Sequence, residues 1–216
     1  MKSFKFLLVA LVILVNLCLA TPSWADPPRF TENPDYIEVT KALDTLLKAK
    51  NSPELAGSVT PEEIENRISE LEFQKYTLET GIDWGQCRNE TGKTIAIYGK
   101  KPKKSKSSYD NAIYFLANGQ TTEDEWDCDG IYLPSGIKVA GLTSDGQALA
   151  LETAVVGKIF DGTQLVVKTN PETGVVELNV PPAKILKPGE VNWFIPNISS
   201  KAIAARIANA PTIEND

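Results

Sequence analysis

The stretch that decides the fold class is TQLVVKTNPETGVVELNV, residues 163–180. Two runs rich in β-branched residues flank NPETG, residues 170–174, whose composition is typical of a tight turn. In the second run the apolar residues Val176, Leu178 and Val180 alternate with mostly polar neighbours. This period of two predicts a β-hairpin in a sheet with one buried face and one hydrated face.

Similar β-rich runs continue back to residue 82, with further turn signals such as Asn118-Gly119 and Asp161-Gly162 between them. The earlier runs are KTIAIY, NAIYFLA, GIYLPSGIKVAG and QALALETAVV. Residues 81–196 are therefore predicted to form an antiparallel β domain, either a barrel or a sandwich, with seven or eight strands.

Helical spacing replaces this alternation on both sides of the β domain. Asn33-Pro34 and Thr60-Pro61 each combine a capping residue with a proline at the first helical position, so residues 26–80 are predicted to form a helical hairpin. The segment 197–216 contains SSKAIAARIANA and predicts a short C-terminal helix, docked weakly by Ile203 and Ile207. The expected fold class is α+β.

Residues 1–25 have the pattern of an export signal. Two lysines precede an apolar run over 6–20, and SWA at 23–25 supplies a small-x-small cleavage site. The run is shorter than the ~20 residues that a bilayer-spanning helix needs, which favours a cleaved signal peptide. An uncleaved membrane anchor is the alternative. The ending PSWAD, residues 22–26, resembles that of cyanobacterial precursors exported to the periplasm or the thylakoid lumen. We expect cleavage after Ala25 and an exported chain.

Charge and cysteine content narrow the class of protein further. The chain has 28 acidic and 22 basic residues, a net charge of −6 and no histidine. This charge argues against nucleic acid as a partner. Because Cys18 belongs to the signal, Cys87 and Cys128 are expected to form a disulfide in an oxidising compartment, with two buried free thiols as the alternative. No cofactor is expected.

An acidic stretch, TEDEWDCDG at residues 122–130, contains five carboxylates. Its spacing matches the beginning of a calcium loop, but the position that requires a bidentate Glu falls on Gly136, which excludes an EF-hand. A looser calcium site formed by Asp127 and Asp129 is one hypothesis. The other is a hydrated acidic turn.

Two tryptophans lie close in sequence to the two cysteines. Trp84 precedes Cys87 and Trp126 precedes Cys128, so the disulfide would bring both indoles to one region. They could form the apolar wall and stacking face of a carboxylate-based glycoside hydrolase or sugar-binding site. Alternatively, they pack around the disulfide.

A basic stretch, GKKPKKSKSS at residues 99–108, lies between two predicted strands. At the tip of a hairpin it would stand ~20 Å from the acidic stretch at the hairpin base, from six residues at ~3.3 Å each. It is either a hydrated loop or a surface that docks a protein partner or an anionic surface, including peripheral contact with a membrane. Its lysines are Lys100, Lys101, Lys103, Lys104 and Lys106.

The sequence thus favours an exported, non-enzymatic binding or assembly module of the periplasm or lumen. No nucleophile–histidine pair, metal-binding motif or phosphate-binding loop is evident in it. The alternative is the carboxylate-based hydrolase or sugar-binding domain, and the third hypothesis is a calcium-dependent module.

Overall fold

The computed structural model describes residues 29–51, 60–143 and 146–213. The expected signal peptide at 1–25 and the connection at 52–59 lie outside the described residues. Two helices come first, a short helix comes near the end, and two five-stranded sheets lie between them. The predicted α+β organisation is confirmed. The sheets are separate and open, so the closed-barrel alternative is wrong.

The two N-terminal helices form the predicted hairpin. They are α1, Pro34–Asn51, which follows a 3-10 turn at Arg29–Glu32, and α2, Pro61–Glu79. The Thr60 hydroxyl accepts a hydrogen bond from the Glu63 amide while the Glu63 carboxylate accepts one from the Thr60 amide, which is the predicted capping box. The buried apolar residues of the hairpin are Val39, Leu43, Ile64, Ile68, Leu71 and Leu78, with Phe160 of the β domain packed against them.

The described residues contain ten strands, more than the seven or eight expected. One sheet has the order β1-β8-β9-β5-β6 and the other has the order β10-β7-β4-β2-β3. The strands are β1 Gln86–Glu90, β2 Ile95–Lys100, β3 Asn111–Leu116, β4 Cys128–Leu133, β5 Lys138–Ala140, β6 Leu149–Ala150, β7 Val155–Lys158, β8 Gln164–Thr169, β9 Val176–Leu178 and β10 Lys184–Leu186.

The hairpin predicted from residues 163–180 is present. Strands β8 and β9 pair antiparallel, and Val176 and Leu178 are buried as the alternation predicts. However, β1 pairs with β8 in parallel and β5 pairs with β9 in parallel, so the first sheet is mixed. The strand β1 was missed because QCRNE is polar. Asn89 of this strand is buried, and its side-chain amide donates hydrogen bonds to the carbonyls of Leu116 and Lys93.

The main hydrophobic core contains residues of both sheets and is centred on the Cys87–Cys128 disulfide, which confirms the predicted pairing. Both cysteines are fully buried. A bond that closes a loop of ~40 residues stabilises a fold by about 4 kcal/mol in the chain-entropy model. The disulfide also joins β1 of one sheet to β4 of the other.

The C-terminal segment covers the outer face of the second sheet. The helix α3, Ser200–Ala204, buries Ile203 against Tyr98 and Tyr132, whereas Ile207 is 89% exposed. The expectation that both isoleucines dock is therefore wrong for Ile207, because the helix ends before it. No helix within the described ranges is long and apolar enough to cross a membrane.

Candidate functional site

Three aspartates meet where the second sheet approaches the helical hairpin. Strands β4 and β7 run antiparallel with Gly130 opposite Lys158, so the start of β4 lies beside the end of β7. Asp127 and Asp129 lie at the start of β4, and Asp161 follows β7 in a turn. The strand register therefore brings these three carboxylates into one region.

The helix α1 contributes a fourth aspartate and a glutamate, and both form ion pairs with a lysine of β7. Asp35, in the first turn of α1, forms an ion pair with Lys158, and Glu38 one turn later forms a second at 3.2 Å. The backbone amide of Asp161 also donates to Asp35, at 3.1 Å. We call Asp35, Asp127, Asp129 and Asp161 the carboxylate cluster.

Neutral donors hold the three other members of the carboxylate cluster. The donors are the Gly85 amide for Asp127 at 2.9 Å, Asn111 Nδ2 for Asp129 at 2.6 Å, and Asn33 Nδ2 for Asp161 at 2.5 Å. A neutral donor offsets only part of the cost of removing a carboxylate from water. These carboxylates are consequently costly to ionise.

The pKa values follow from this setting. Burial is the main cause that raises the pKa of Asp127, Asp129 and Asp161 from 3.8 to about 7, and repulsion between members of the carboxylate cluster acts in the same direction. Burial lowers the pKa of Lys158, but the attraction of Asp35 and Glu38 outweighs it and the net pKa is raised. Lys158 therefore stays charged while Asp127, Asp129 and Asp161 gain protons near neutral pH.

This environment corrects one expectation about the acidic stretch. Asp127 and Asp129 are half-buried and hydrogen-bonded, whereas the sequence indicated that they would be hydrated. The hydrated part of the stretch is its first half, Glu123, Asp124 and Glu125, whose side chains are exposed. Pairing of β4 with β7 pulls the second half into the protein.

The described side chains of this region are not arranged as a metal-binding site. In the part of the chain that the structure describes, no group of three or more His, Cys, Asp or Glu side chains is arranged to hold a metal ion. One oxygen of Asp127 and one of Asp129 already accept protein hydrogen bonds. The loose calcium site at these two residues stays a prediction.

Of the two tryptophans, Trp126 belongs to the packing around the disulfide. Trp126 packs against the main core and meets Tyr114 edge to face, with ring centroids 5.0 Å apart. Its six-membered ring lies so close to Gly99 that an added Cβ there would be 2.6 Å from two ring carbons. Trp84 is half-buried, and its carbonyl accepts a hydrogen bond from the Gly162 amide.

Two cavities formed by described residues lie away from these tryptophans. A small apolar cavity of about 40 Å³ is lined by residues such as Ile131, Val167 and Ile203, and an open groove between α1 and α2 is lined by residues such as Leu46 and Leu71. Neither lining includes a tryptophan or a member of the carboxylate cluster. The arrangement expected of a sugar site, a cleft between the indoles, is absent from both.

The basic stretch lies at a hairpin tip, as predicted. Strands β2 and β3 pair antiparallel from Ile95 opposite Leu116 to Lys100 opposite Asn111. The predicted distance of ~20 Å to the acidic stretch is wrong for its second half, because β4 also pairs with β2 and places Cys128 opposite Gly99. Asp127 and Asp129 therefore lie at the lysine end of this hairpin.

The loop 101–110, which we call the lysine loop, has a defined shape. Lys101 Nζ donates to the carbonyls of Ser107 and Tyr109, at 3.3 and 2.8 Å, and so closes the loop on itself. Lys103, Lys104 and Lys106 are exposed. None of the ion pairs among the described residues involves Lys100 or a lysine of the loop.

Two aromatic rings lie on the surface beside the lysine loop. Tyr109 at its end and Phe194 are 37% and 49% exposed, with ring centroids 5.3 Å apart. The backbone under Phe194 is fixed, because Trp193 stacks on Tyr98 at 5.2 Å and the Tyr98 hydroxyl donates to the Phe194 carbonyl at 2.7 Å. The Phe194 ring is thus presented outward by inward-facing neighbours.

One backbone hydrogen bond and two hydrogen bonds from a side chain connect the segment that carries Phe194 to the lysine loop. The Asp110 amide donates to the Asn192 carbonyl at 2.9 Å, and Asn192 Nδ2 donates to Asp110 and to the Ser108 carbonyl. The lysine loop and the segment with Phe194 therefore form one continuous surface. We call it the basic–aromatic surface.

Comparison with models of protein families, with curated proteins and with solved structures gives no match. Sequence reasoning missed Asp35, Asp161, Lys158 and Phe194. Asp161 stands in a turn signal and Lys158 follows a β-rich run by two residues, and neither pattern indicates a charged cluster.

Proposed function

We propose that this protein is an exported, non-enzymatic binding or assembly module of the periplasm or thylakoid lumen, and that it docks through the basic–aromatic surface. The observation that carries the proposal is three exposed lysines, Lys103, Lys104 and Lys106, beside the exposed rings of Tyr109 and Phe194. Unpaired basic side chains next to exposed aromatic rings are typical of an interaction site.

The charge balance of the molecule supports a specific role for this surface. The whole chain carries a net charge of −6, yet the loop concentrates lysines that have no ion-pair partner among the described residues. A local positive surface on an acidic protein orients it toward an anionic partner by long-range attraction. The buried disulfide is typical of an oxidising compartment, which supports export.

A photo-cross-linking residue placed at Ser105 tests this function without using lysine chemistry. Ser105 is exposed within the lysine loop, and exposed Ser69 on α2 gives a matched control position. In the native envelope we expect covalent adducts, to protein or to lipid, from position 105 and not from position 69. Absence of adducts at 105, or equal adducts at both positions, would refute the docking role.

Charge substitution provides the second half of this test. The variant Lys103→Gln, Lys104→Gln, Lys106→Gln should lose the adducts from position 105. A control with the same change in net charge replaces three exposed lysines outside the loop that have no ion pair in the described chain: Lys48, Lys93 and Lys138. The control should keep the adducts.

The carboxylate-based hydrolase or sugar-binding domain is the second candidate, and the raised pKa of Asp127 and Asp129 favours it. Against it, Trp126 is packed on the core and neither cavity reaches the tryptophans. Hydrolysis of a panel of cell-wall and storage glycans that disappears in Asp129→Asn would establish it.

The calcium-dependent module is the third candidate and uses Asp127 and Asp129. Calorimetry with calcium tests it directly: micromolar affinity that is lost in Asp127→Asn, Asp129→Asn would make the stretch a dedicated ion site.

A further inference from the structure

We propose that the partner of the basic–aromatic surface is an anionic lipid bilayer, on which Lys103, Lys104 and Lys106 contact headgroups while Phe194 and Tyr109 enter the interfacial layer. This inference rests on the proposed docking function and names the partner's chemistry. It is carried by the kind of cation in the loop, by the position of the rings and by the way they are held.

The cations of the loop are all lysines. Residues 99–108 contain five lysines and no arginine. Lysine is depleted at protein–protein interfaces, where arginine is enriched because its planar fork pairs with carboxylates in a fixed geometry. Hydrated point charges that need no fixed partner suit a diffuse anionic surface such as phospholipid headgroups.

The rings supply the second contact that a bilayer requires. Electrostatic attraction alone holds a protein near the headgroups and is screened by salt, so stable attachment combines basic side chains with an apolar anchor. Aromatic side chains are enriched at the membrane–water interface. Phe194 and Tyr109 meet this requirement because they are adjacent to each other and to the end of the lysine loop.

The conformation of the basic–aromatic surface is also fixed before it contacts a bilayer. Trp193 is held inward by Tyr98, and the Phe194 carbonyl accepts the Tyr98 hydroxyl, so the outward direction of the Phe194 ring requires no rearrangement of its backbone. Lys101 closes the lysine loop through two carbonyls. A surface of fixed shape loses little conformational entropy when it binds.

Sedimentation with lipid vesicles tests the inference on the signal-free chain. Vesicles of phosphatidylcholine alone are compared with vesicles containing phosphatidylcholine and phosphatidylglycerol in equal amounts. We expect binding to the second kind only, and weakening by added salt. The variant Lys103→Gln, Lys104→Gln, Lys106→Gln should bind about 100-fold more weakly, since each basic side chain near an anionic bilayer contributes about fivefold.

The Phe194→Ala variant separates the anchor from the charges. It should bind phosphatidylglycerol vesicles about fivefold to tenfold more weakly, from partial loss of an aromatic side chain's transfer free energy, and keep the salt dependence. The control variant Lys48→Gln, Lys93→Gln, Lys138→Gln should bind as the unchanged protein does. Circular dichroism of each variant confirms that it is folded.

Three results would overturn the inference. They are no binding to phosphatidylglycerol vesicles by the folded protein, equal binding by the loop variant and the control, and unchanged binding by Phe194→Ala. If vesicles do not bind but Ser105 in the envelope yields lysine-dependent protein adducts, an acidic protein is the partner and the proposed function stands. If neither occurs, both proposals fail.

Discussion

A rise in pH should destabilise this protein through the carboxylate cluster. The pKa of Asp127, Asp129 and Asp161 is about 7 in the folded protein against an ordinary 3.8, so between these values the folded state holds protons that the unfolded chain has released. Their stabilising contribution is therefore present below about pH 4 and is lost as the pH rises through about 7.

The magnitude follows from the linkage relation. From about pH 5.5 to about pH 7, one such group lowers the free energy of unfolding by about 2 kcal/mol, at about 1.4 kcal/mol for each pH unit. That loss corresponds to a fall of about 4–8 °C in the melting temperature for a chain of this size. The chain has no histidine, so no histidine titration overlaps this range.

Thermal unfolding followed by circular dichroism at about pH 5.5, 7 and 8.5 measures this effect. The variant Asp129→Asn keeps an oxygen that can accept the Asn111 hydrogen bond but removes the ionisable group. It should flatten the pH dependence and melt higher than the unchanged protein at the highest pH. The exposed Asp83→Asn is the matched control and should leave the slope unchanged. A melting temperature that stays constant or rises over this range would refute the reasoning.

Three further predictions concern the disulfide, the indole packing and export. Replacing Cys87 by Ala should lower the free energy of unfolding by about 4 kcal/mol and shift the emission of Trp126; denaturant titration read by fluorescence checks both, and an unchanged midpoint would contradict it. Gly99→Ala should cost about 1–3 kcal/mol, because the new methyl group would overlap the Trp126 ring, and a melting temperature equal to that of the unchanged protein would argue against this contact. N-terminal sequencing of the exported protein should begin at Asp26, and an intact Met1 would instead indicate a membrane anchor.

Local patterns in the sequence predicted the elements whose partners are near in the chain. The capping box at Thr60 and the turn at 170–174 are each complete within a few residues, so their signals needed no knowledge of the rest of the molecule. The disulfide was predictable because the expected cleavage after Ala25 would leave only one pair of cysteines, Cys87 and Cys128. The hairpin that carries the lysine loop is local for the same reason.

The features that the sequence did not disclose depend on pairing between distant strands. The register of β4 against β2 and β7 moves Asp127 and Asp129 from a hydrated turn into the carboxylate cluster. No sequence pattern indicates the ion pairs of Lys158, because its partners Asp35 and Glu38 belong to a helix far earlier in the chain. Phe194 lies in a segment without periodicity, so its exposure could not be predicted.

The parallel pairing of β1 with β8 has a consequence for the order of folding. The residues of β1 are synthesised long before those of β8, the strand beside which β1 lies in its sheet. Contacts between segments so far apart form slowly, because a long loop must close first. Cys128 precedes β8 in the chain, so oxidation with Cys87 can place β1 beside β4 before its sheet partner arrives. A bond formed at that stage would hold β1 in place while the rest of its sheet forms, in addition to stabilising the finished fold.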